Sequence, residues 1–218
     1  LDTDELKQFF DSLHSNALEL DLERFYVLAF SGMRPGELCA LQKQDLDFTE
    51  NTINIYKTIY NESNNMKEYI LTPPKTSGSV RVVNMDEKVM NMLKKLVTAN
   101  DRRKLNLRVH YEDFHDKDFL FCRANGYPYI TKTVLNRMDR LIQSTNIKKR
   151  ATPHIFRHTY ISMMAEAKVD LPTIMQQVGH EDIETTMKVY THVTNKMKKD
   201  APAKVTNLYG NILEKIIL

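Results

Sequence analysis

The sequence has few cysteines and no long apolar run. Cys39 and Cys122 are the two cysteines in 218 residues, and they lie far apart and outside any C-x-x-C pair. This favours a reduced intracellular compartment over a disulfide-stabilised secreted protein. No stretch approaches the roughly 18 consecutive apolar residues of a membrane-spanning helix, and no charged-then-apolar leader opens the chain. We therefore expect neither membrane insertion nor secretion.

The sequence also lacks a strong excess of either charge. Lys and Arg number 31 and Asp and Glu 28, which gives a formal net charge of +3. By itself this balance is too mild to indicate nucleic-acid binding. Basic residues do crowd two stretches, which are Arg137 to Arg150 and Lys196 to Lys199. A DNA-binding surface and ordinary solvated helix ends remain equally good interpretations of these two stretches.

The length and the apolar pattern predict one mostly helical domain. A chain of this size buries roughly 70% of its unfolded surface and needs no structural metal or disulfide. Helical spacing of apolar residues predicts helices near residues 2–13, 18–30, 35–41, 86–97 and 131–146, and from 154 onward. Alternation predicts strands near 52–56, 69–71 and 80–83, and residues 100–118 indicate an irregular connection. The predicted fold class is α+β, with a small antiparallel three-stranded sheet.

Five polar side chains stand out at helix starts and near the C-terminus. His154 and Arg157 are three residues apart and share a helical face, and His180 and Tyr190 follow downstream. Far upstream, Arg34 lies between two glycines at a predicted helix start. Taken singly, each has an ordinary structural explanation, such as packing or pairing with a neighbouring carboxylate. Together they form a set of two guanidinium groups, two imidazoles and one phenol.

This set suits attack on a phosphodiester. Guanidinium forks bind phosphate oxygens and stabilise the charge that develops on them in the transition state. A tyrosine oxygen can displace one ester oxygen and become bonded to phosphorus. Its pKa near ~10 means that a neighbouring base or cationic field must assist it. Lys75, in a predicted turn between two strands, could supply the proton that the departing alkoxide needs.

Four stretches of this sequence resemble the catalytic domain of tyrosine recombinases, and in particular the integrases of temperate phages and integrative elements. They are S-G-M-R-P-G-E-L, P-K-T-S-G-S-V-R, H-I-F-R-H-T and V-G-H-E-D-I-E-T-T-M-K-V-Y-T-H, in the order typical of that family. The resemblance spans about residues 18–193. One departure is Lys168, which stands where the family often has a turn glycine.

The resemblance implies a role for each matching residue. Arg34 and Arg157 would bind the scissile phosphate, and His180 would add a phosphate contact. His154 would act in acid/base chemistry, and Lys75 would protonate the 5′-hydroxyl leaving group. Tyr190 would be the nucleophile that forms a 3′-phosphotyrosine bond, with no metal or other cofactor. Two further residues would support the site, which are Glu37 and the buried His158.

The resemblance also implies a domain organisation and partners. Residues 1–218 would be the catalytic domain of a longer protein, and the residues before Leu18 are too few to form a core-binding or arm-binding domain. The tail over residues 194–218 carries an apolar stripe, which would dock on a neighbouring protomer or pack within its own subunit. The implied partners are double-stranded DNA attachment sites, a homotetramer on synapsed DNA, excisionase and DNA-bending proteins. The protein would be a monomer or weak oligomer alone, and the implied location is the cytoplasm of a bacterial host cell.

Three alternatives stay open at this stage. A type IB topoisomerase would share the chemistry but relax supercoils. A metal hydrolase would use His154 and His158 at i, i+4 spacing together with His180 and His192, although the glutamate of H-E-x-x-H is missing. A non-enzymatic DNA-binding module would retain the site residues as relics, but the intact set argues against decay, because losing one member typically costs orders of magnitude in rate.

Overall fold

The computed structural model describes residues 1–74, 76–148, 152, 154–180 and 182–197. Of these, Ser77, Thr185 and residues 192–197 are described by their backbone only. These residues form a helical domain with two small antiparallel sheets. The helices are α1 (Thr3–Asn16), α2 (Asp21–Ser31), α3 (Pro35–Ala40), α4 (Glu87–Leu107), α5 (Thr131–Gln143), α6 (His154–Glu166), α7 (Leu171–Val178) and α8 (Ile183–Met197). The strands are β1 (Leu46–Asp47), β2 (Thr52–Ile55), β3 (Thr58–Tyr60), β4 (Ile70–Thr72) and β5 (Arg81–Asn84).

Local signals in the sequence account for the helix ends near the site. The Asp2 side chain accepts a hydrogen bond from the Glu5 backbone, and the Glu5 side chain accepts one from the Asp2 backbone, as the capping-box spacing predicted. Gly32 ends α2 in the left-handed conformation, with φ of 62°. Lys168 also has a left-handed φ, of 63°, at the turn after α6, so the lysine occupies a backbone position that favours glycine.

The predicted strands do not form one sheet. β1, β2 and β5 form a three-stranded antiparallel sheet in that order, with Ile53 opposite Val83. β4 pairs instead with β3, in a separate two-stranded sheet. The prediction of a three-stranded sheet is therefore right in number but wrong in membership. β1 and β3 are two and three residues long, too short for alternation to reveal them.

Helix α4 extends well beyond its predicted end. Residues 100–107 were expected to be irregular, but the helix continues to Leu107. Asn100 Nδ2 donates to the Leu120 carbonyl at 2.8 Å, and Arg103 Nη2 donates to the Cys122 carbonyl at 3.3 Å. These long-range bonds support a polar helical segment that lacks an apolar stripe. No helix in the described part of the chain is both long and apolar enough to cross a membrane.

Two hydrophobic clusters hold the domain together. In the main core, the fully buried rings of Phe9, Phe25 and Phe156 meet edge-on or tilted, with centroids 5.1 to 6.0 Å apart. A smaller cluster lies under α6, α7 and α8, and its buried members are Ile161, Ala165, Ile174 and Val178. Helix α6 contributes to both clusters, because Phe156 belongs to the first and Ile161 to the second.

Candidate active site

Arg34 is held at the start of α3 by the carboxylate of Glu37. Pro35 occupies the first helical turn, where a backbone N–H would have no helical acceptor. Glu37 Oε2 accepts a hydrogen bond from the Arg34 backbone N–H at 2.8 Å, and Glu37 Oε1 accepts one from Arg34 Nη1 at 2.7 Å. The Arg34 side chain is still 35% exposed. Glu37 therefore orients the Arg34 guanidinium, and part of the guanidinium stays open to solvent.

Glu37 is a buried anion between two arginines. Its side chain is 1% exposed, and Arg81 Nη2 donates to Glu37 Oε2 at 2.9 Å. Burial alone would raise the pKa of the Glu37 carboxyl. The hydrogen bond and charge of Arg81, together with those of Arg34, outweigh burial and hold that pKa below its ordinary value. Glu37 is consequently ionised at neutral pH.

Gly36 allows β3 to pack directly against the turn that carries Arg34. A Cβ at Gly36 would lie 2.5 Å from Thr58 Oγ1 and 3.3 Å from the Ile59 carbonyl oxygen. Such distances leave no room for a side chain. The glycine of R-P-G-E is therefore required by a close backbone approach between α3 and the two-stranded sheet.

Arg157 lies buried in the first turns of α6 and points toward the same region. Its Nη1 donates to the Gly32 carbonyl at 2.9 Å, two residues before Arg34, and its Nε donates to His180 Nε2 at 3.0 Å. Its Nη2 is buried and has no hydrogen-bond partner in the described structure. Burial and the like charges of Arg34 and Arg81 lower the pKa of Arg157 to about 9, so the guanidinium stays protonated at neutral pH. An anion would satisfy the unpaired nitrogen.

His180 follows the helix-ending Gly179, which has a left-handed φ of 68°. Because His180 Nε2 accepts the hydrogen bond from Arg157, the neutral ring carries its proton on Nδ1. That Nδ1–H donates to Thr186 Oγ1 at 2.7 Å. Burial, followed by the charges of Arg157 and Arg34, lowers the pKa of His180 to about 4. His180 thus remains neutral at pH 7 and orients Arg157, and a phosphate contact requires one of these bonds to be exchanged.

The two histidines of α6 are both solvent-exposed, at the first residue of the helix and one turn later. Partial burial and the charges of Arg157 and Arg34 lower the pKa of His154, which places its ring within the field of the site. Partial burial and Arg157 also lower the pKa of His158. The expectation that His158 is buried is wrong, because α6 turns this position toward solvent while Phe156 and Arg157 face inward.

Tyr190 lies on α8, one helical turn after Thr186. It is partly buried and packs against the smaller hydrophobic cluster. Thr186 and Tyr190 are four residues apart and share a helical face, so the residue that holds His180 and the predicted nucleophile are neighbours. Within the described structure, the Tyr190 hydroxyl forms no hydrogen bond with Arg34, Arg157 or His180.

Several predicted features lie outside the described residues. They are Lys75, the side chain of His192 and the tail from residue 198. The turn that follows Lys75 is described. Thr76 Oγ1 and Ser79 Oγ are 3.0 Å apart, and Ser79 Oγ accepts a hydrogen bond from Arg34 Nη1 at 3.2 Å. The turn is therefore joined to Arg34 through Ser79.

The sequence interpretation missed three residues that hold the site, which are Ser79, Arg81 and Thr186. Arg81 and Ser79 are 44 and 45 residues from their partners Glu37 and Arg34, so no local spacing connects them. A signal for Arg81 was nonetheless present. It ends the quoted stretch P-K-T-S-G-S-V-R and interrupts an apolar strand with a charge at a core-facing position.

The metal-hydrolase alternative includes His192, whose side chain lies outside the described residues, and can be compared with the structure at the other three histidines. Among the residues whose side chains are described, no three or more His, Cys, Asp or Glu side chains are grouped as a metal site. Both ring nitrogens of His180 are already engaged, one by Arg157 and one by Thr186. His154 and His158 are one turn apart on α6, and neither forms an ion pair with a carboxylate in the described structure.

Comparisons with known proteins place these motifs in one family. The model of the Phage integrase family matches residues 1–197. The integrase of Staphylococcus phage L54a is 37% identical over 182 residues, which cover 84% of this chain and 50% of that protein. The chain spans about half the length of the curated relatives that it matches.

Solved structures share the fold. The Tn1549 transposon integrase, as a variant in complex with transposon right end DNA, is 26% identical with a TM-score of 0.76, covering 95% of this chain and 65% of that one. The XerA recombinase is 27% identical with a TM-score of 0.64, covering 92% of this chain and 64% of that one. The prediction of a mostly helical α+β domain with the architecture of these proteins is confirmed.

Proposed function

The chain belongs to the phage integrase family, and from that premise we propose that it cleaves and rejoins DNA strands through a 3′-phosphotyrosine intermediate. The whole protein would integrate or excise a mobile element at specific attachment sites, in the cytoplasm of a bacterial cell. The phage and transposon integrases among its relatives support this proposal. A type IB topoisomerase, which would share this chemistry but relax supercoils, is the nearest alternative.

The buried, unpartnered Nη2 of Arg157 is the observation that carries the proposal. It lies in a region whose charge is dominated by Arg34, Arg81 and Arg157, with Glu37 as the balancing anion. A buried donor without an acceptor is costly, and a phosphate oxygen would remove that cost. Such prepositioned cations stabilise the pentacovalent transition state, in which charge spreads over the non-bridging oxygens, more than the ground state.

The proposed reaction exchanges one phosphodiester for another. Tyr190 Oη would attack phosphorus while the bond between phosphorus and the 5′ oxygen breaks. The departing 5′ oxygen would take a proton from Lys75, and His154 would accept the phenolic proton. The lowered pKa of His154 keeps its ring neutral at pH 7, which suits a proton acceptor. A 5′-hydroxyl of a partner strand could reverse the step without ATP, because the bond energy is retained in the phosphotyrosine.

The remaining assignments are proposals that follow from family membership. Residues 1–218 would form the catalytic domain, and core-binding and arm-binding domains would belong to the longer protein. The apolar stripe of the tail, which ends at Leu218, would dock on a neighbouring protomer in a DNA-bound tetramer. Excisionase and DNA-bending proteins would be additional partners. The chain by itself is expected to bind DNA weakly.

A suicide-substrate assay tests the reaction. Duplexes of randomised sequence, each with one nick, release a short 5′-hydroxyl fragment on cleavage and so trap a covalent intermediate. We expect a denaturation-stable protein–DNA adduct with the wild-type chain and none with Tyr190→Phe. Tyr111→Phe is the matched control, because Tyr111 is an exposed tyrosine beyond the end of α4 that lies beside Met66 and Arg123 rather than site residues, and it should form the adduct normally. A Tyr190→Phe variant that forms as much adduct as the wild type contradicts the proposal.

A further inference from the structure

Arg81 connects three segments that converge on the candidate site. Its side chain is 3% exposed. Nε donates to the Gln177 carbonyl at 2.9 Å, at the end of α7, and Nη1 donates to the Ser79 carbonyl at 2.9 Å, in the turn after Lys75. The two terminal nitrogens also donate to Glu37, from Nη2 to Oε2 at 2.9 Å and from Nη1 to Oε1 at 3.3 Å.

The charges around Glu37 give Arg81 a role beyond packing. Glu37 is one buried anion with two cationic partners, Arg34 and Arg81, so the three groups together carry a net charge of about +1 by the ordinary ionisation states of these side chains. Without Arg81, Glu37 and Arg34 would form a neutral pair. The Arg34 guanidinium would then be drawn toward Glu37 and would offer less positive charge to an incoming phosphate.

Arg81 also fixes the segment that carries His180. A Cβ at Gly179 would lie 2.9 Å from Arg81 Cδ and 2.9 Å from the Gly78 carbonyl oxygen, so the backbone before His180 packs directly on the Arg81 side chain. His180 in turn accepts the Nε hydrogen bond of Arg157. The position of Arg157 is therefore connected to Arg81 through the end of α7.

We infer that Arg81 is a positioning residue for phosphodiester cleavage. Arg81 offsets the negative charge of Glu37, so that the positive charge of Arg34 is available to the scissile phosphate. It also anchors the segment with His180, which orients Arg157. This inference rests on the proposed function, because it assigns Arg81 to the same site. Arg81 itself is buried behind Glu37 and is not expected to contact the phosphate.

Three variants that remove, keep or balance the charge of Arg81 test the inference in the same suicide-duplex assay. Arg81→Gln keeps hydrogen-bonding capacity but removes the charge. We expect the rate of adduct formation to fall about 100-fold, because Arg34 would then stabilise the developing phosphate charge less well. Arg81→Lys keeps the charge and should stay within about tenfold of the wild type. The double variant Arg81→Gln with Glu37→Gln removes both charges and should regain about tenfold over Arg81→Gln alone.

Two further measurements separate positioning from a merely structural role. DNA affinity, measured by fluorescence anisotropy on the same duplexes, should change less than about threefold while cleavage slows, because the charge effect is strongest in the transition state. A methylphosphonate is then placed at the phosphate that the wild-type adduct identifies. It removes one phosphate charge and should reduce the difference in cleavage rate between Arg81→Gln and the wild type. The control is Arg103→Gln, since Arg103 is ion-paired with Glu19 away from the site, and this variant should cleave normally.

The outcomes distinguish this inference from the proposed function. If the wild type forms a Tyr190-dependent adduct and Arg81→Gln forms it equally fast, the inference fails and the function stands. If the double variant is no faster than Arg81→Gln and both lose melting temperature equally, Arg81 is structural and the inference fails. Should Arg81→Gln not fold, an Arg81→Lys variant as inactive as Tyr190→Phe overturns the inference. An adduct that Tyr190→Phe forms as fast as the wild type overturns both.

Discussion

The two hydrophobic clusters of this domain support different parts of the site. The main core anchors the cationic groups, because Arg34 follows the buried Met33, Arg81 begins β5, which also carries the buried Val83, and Arg157 follows Phe156. The smaller cluster supports α7, whose end is followed by His180, and α8, which carries Tyr190. The difference teaches that the most heavily packed region positions Arg34, Arg81 and Arg157, and a lightly packed one positions the proposed nucleophile Tyr190.

The largest effect is expected when the main core loses the ring of Phe156, the residue before Arg157. Phe156→Ala should lower the free energy of unfolding by about 3–5 kcal/mol, because Phe156 is fully buried and meets Phe9 and Phe25. Urea unfolding followed by circular dichroism measures the loss. A cost below about 1 kcal/mol would mean that the aromatic cluster does not anchor α6.

A smaller effect is expected where the two-stranded sheet meets the Arg34 turn. Gly36→Ala should cost about 1–3 kcal/mol, since the new methyl group would clash with Thr58 Oγ1. Thr58→Ala added to Gly36→Ala removes that atom and should recover most of the loss, as measured in a double-mutant cycle of urea unfolding. Equal stability of the single and double variants would show that the clash is not with Thr58.

A matched pair of isoleucines compares the clusters directly. Ile53→Val in the main core and Ile174→Val in the smaller cluster each remove one methylene from a fully buried side chain, and each should cost about 0.5–1.5 kcal/mol. Hydrogen exchange should differ between them. Ile174→Val should accelerate amide exchange in α8 but not in α2, because local opening follows local packing. If Ile174→Val accelerates amide exchange equally in α8 and α2, the two clusters open as one cooperative unit, which contradicts this prediction.

The smallest expected effect concerns the pH dependence of stability. The pKa of His180 is about 4 in the folded chain and near 6.5 when unfolded, so the unfolded chain binds more protons between these values. The stabilisation is complete above about pH 6.5 and is lost as the pH falls toward about 4. The melting temperature of His180→Gln should therefore fall less between pH 7 and pH 5 than that of the wild type. His110→Gln, at an exposed histidine after α4, is the control and should keep the wild-type dependence.

The sequence predicted helices well where an apolar stripe or a cap marked them. The Asp2 capping box and the buried face of α4 around Leu93 match the structure. The second half of α4 could not be predicted, because its support comes from Asn100 and Arg103 bonded to residues about 20 positions away. Strand membership also depended on distant pairing, which periodicity does not encode.

The sequence predicted which residues belong to the candidate site better than it predicted the contacts between them. The motifs identified Arg34, Glu37, Arg157 and His180, and the structure brings these four into one hydrogen-bonded or electrostatically coupled region. Their roles as catalytic groups stay predictions. The connection through Arg81 was missed, because a buried ion pair between α3 and β5 arises from tertiary folding alone. The exposure of His158 was missed because helical phase near a helix start is poorly fixed by sequence.

The hydrogen bond between His180 and Thr186 reports on the position of Tyr190, the proposed nucleophile. Thr186 lies one turn before Tyr190, and one turn of α-helix spans about 5.4 Å. When that stretch of α8 shifts as a rigid unit, the Thr186 hydroxyl leaves the imidazole together with the phenol. The ring-nitrogen resonances of His180 therefore report whether Tyr190 is in the position that the structure shows, without any probe attached to Tyr190 itself.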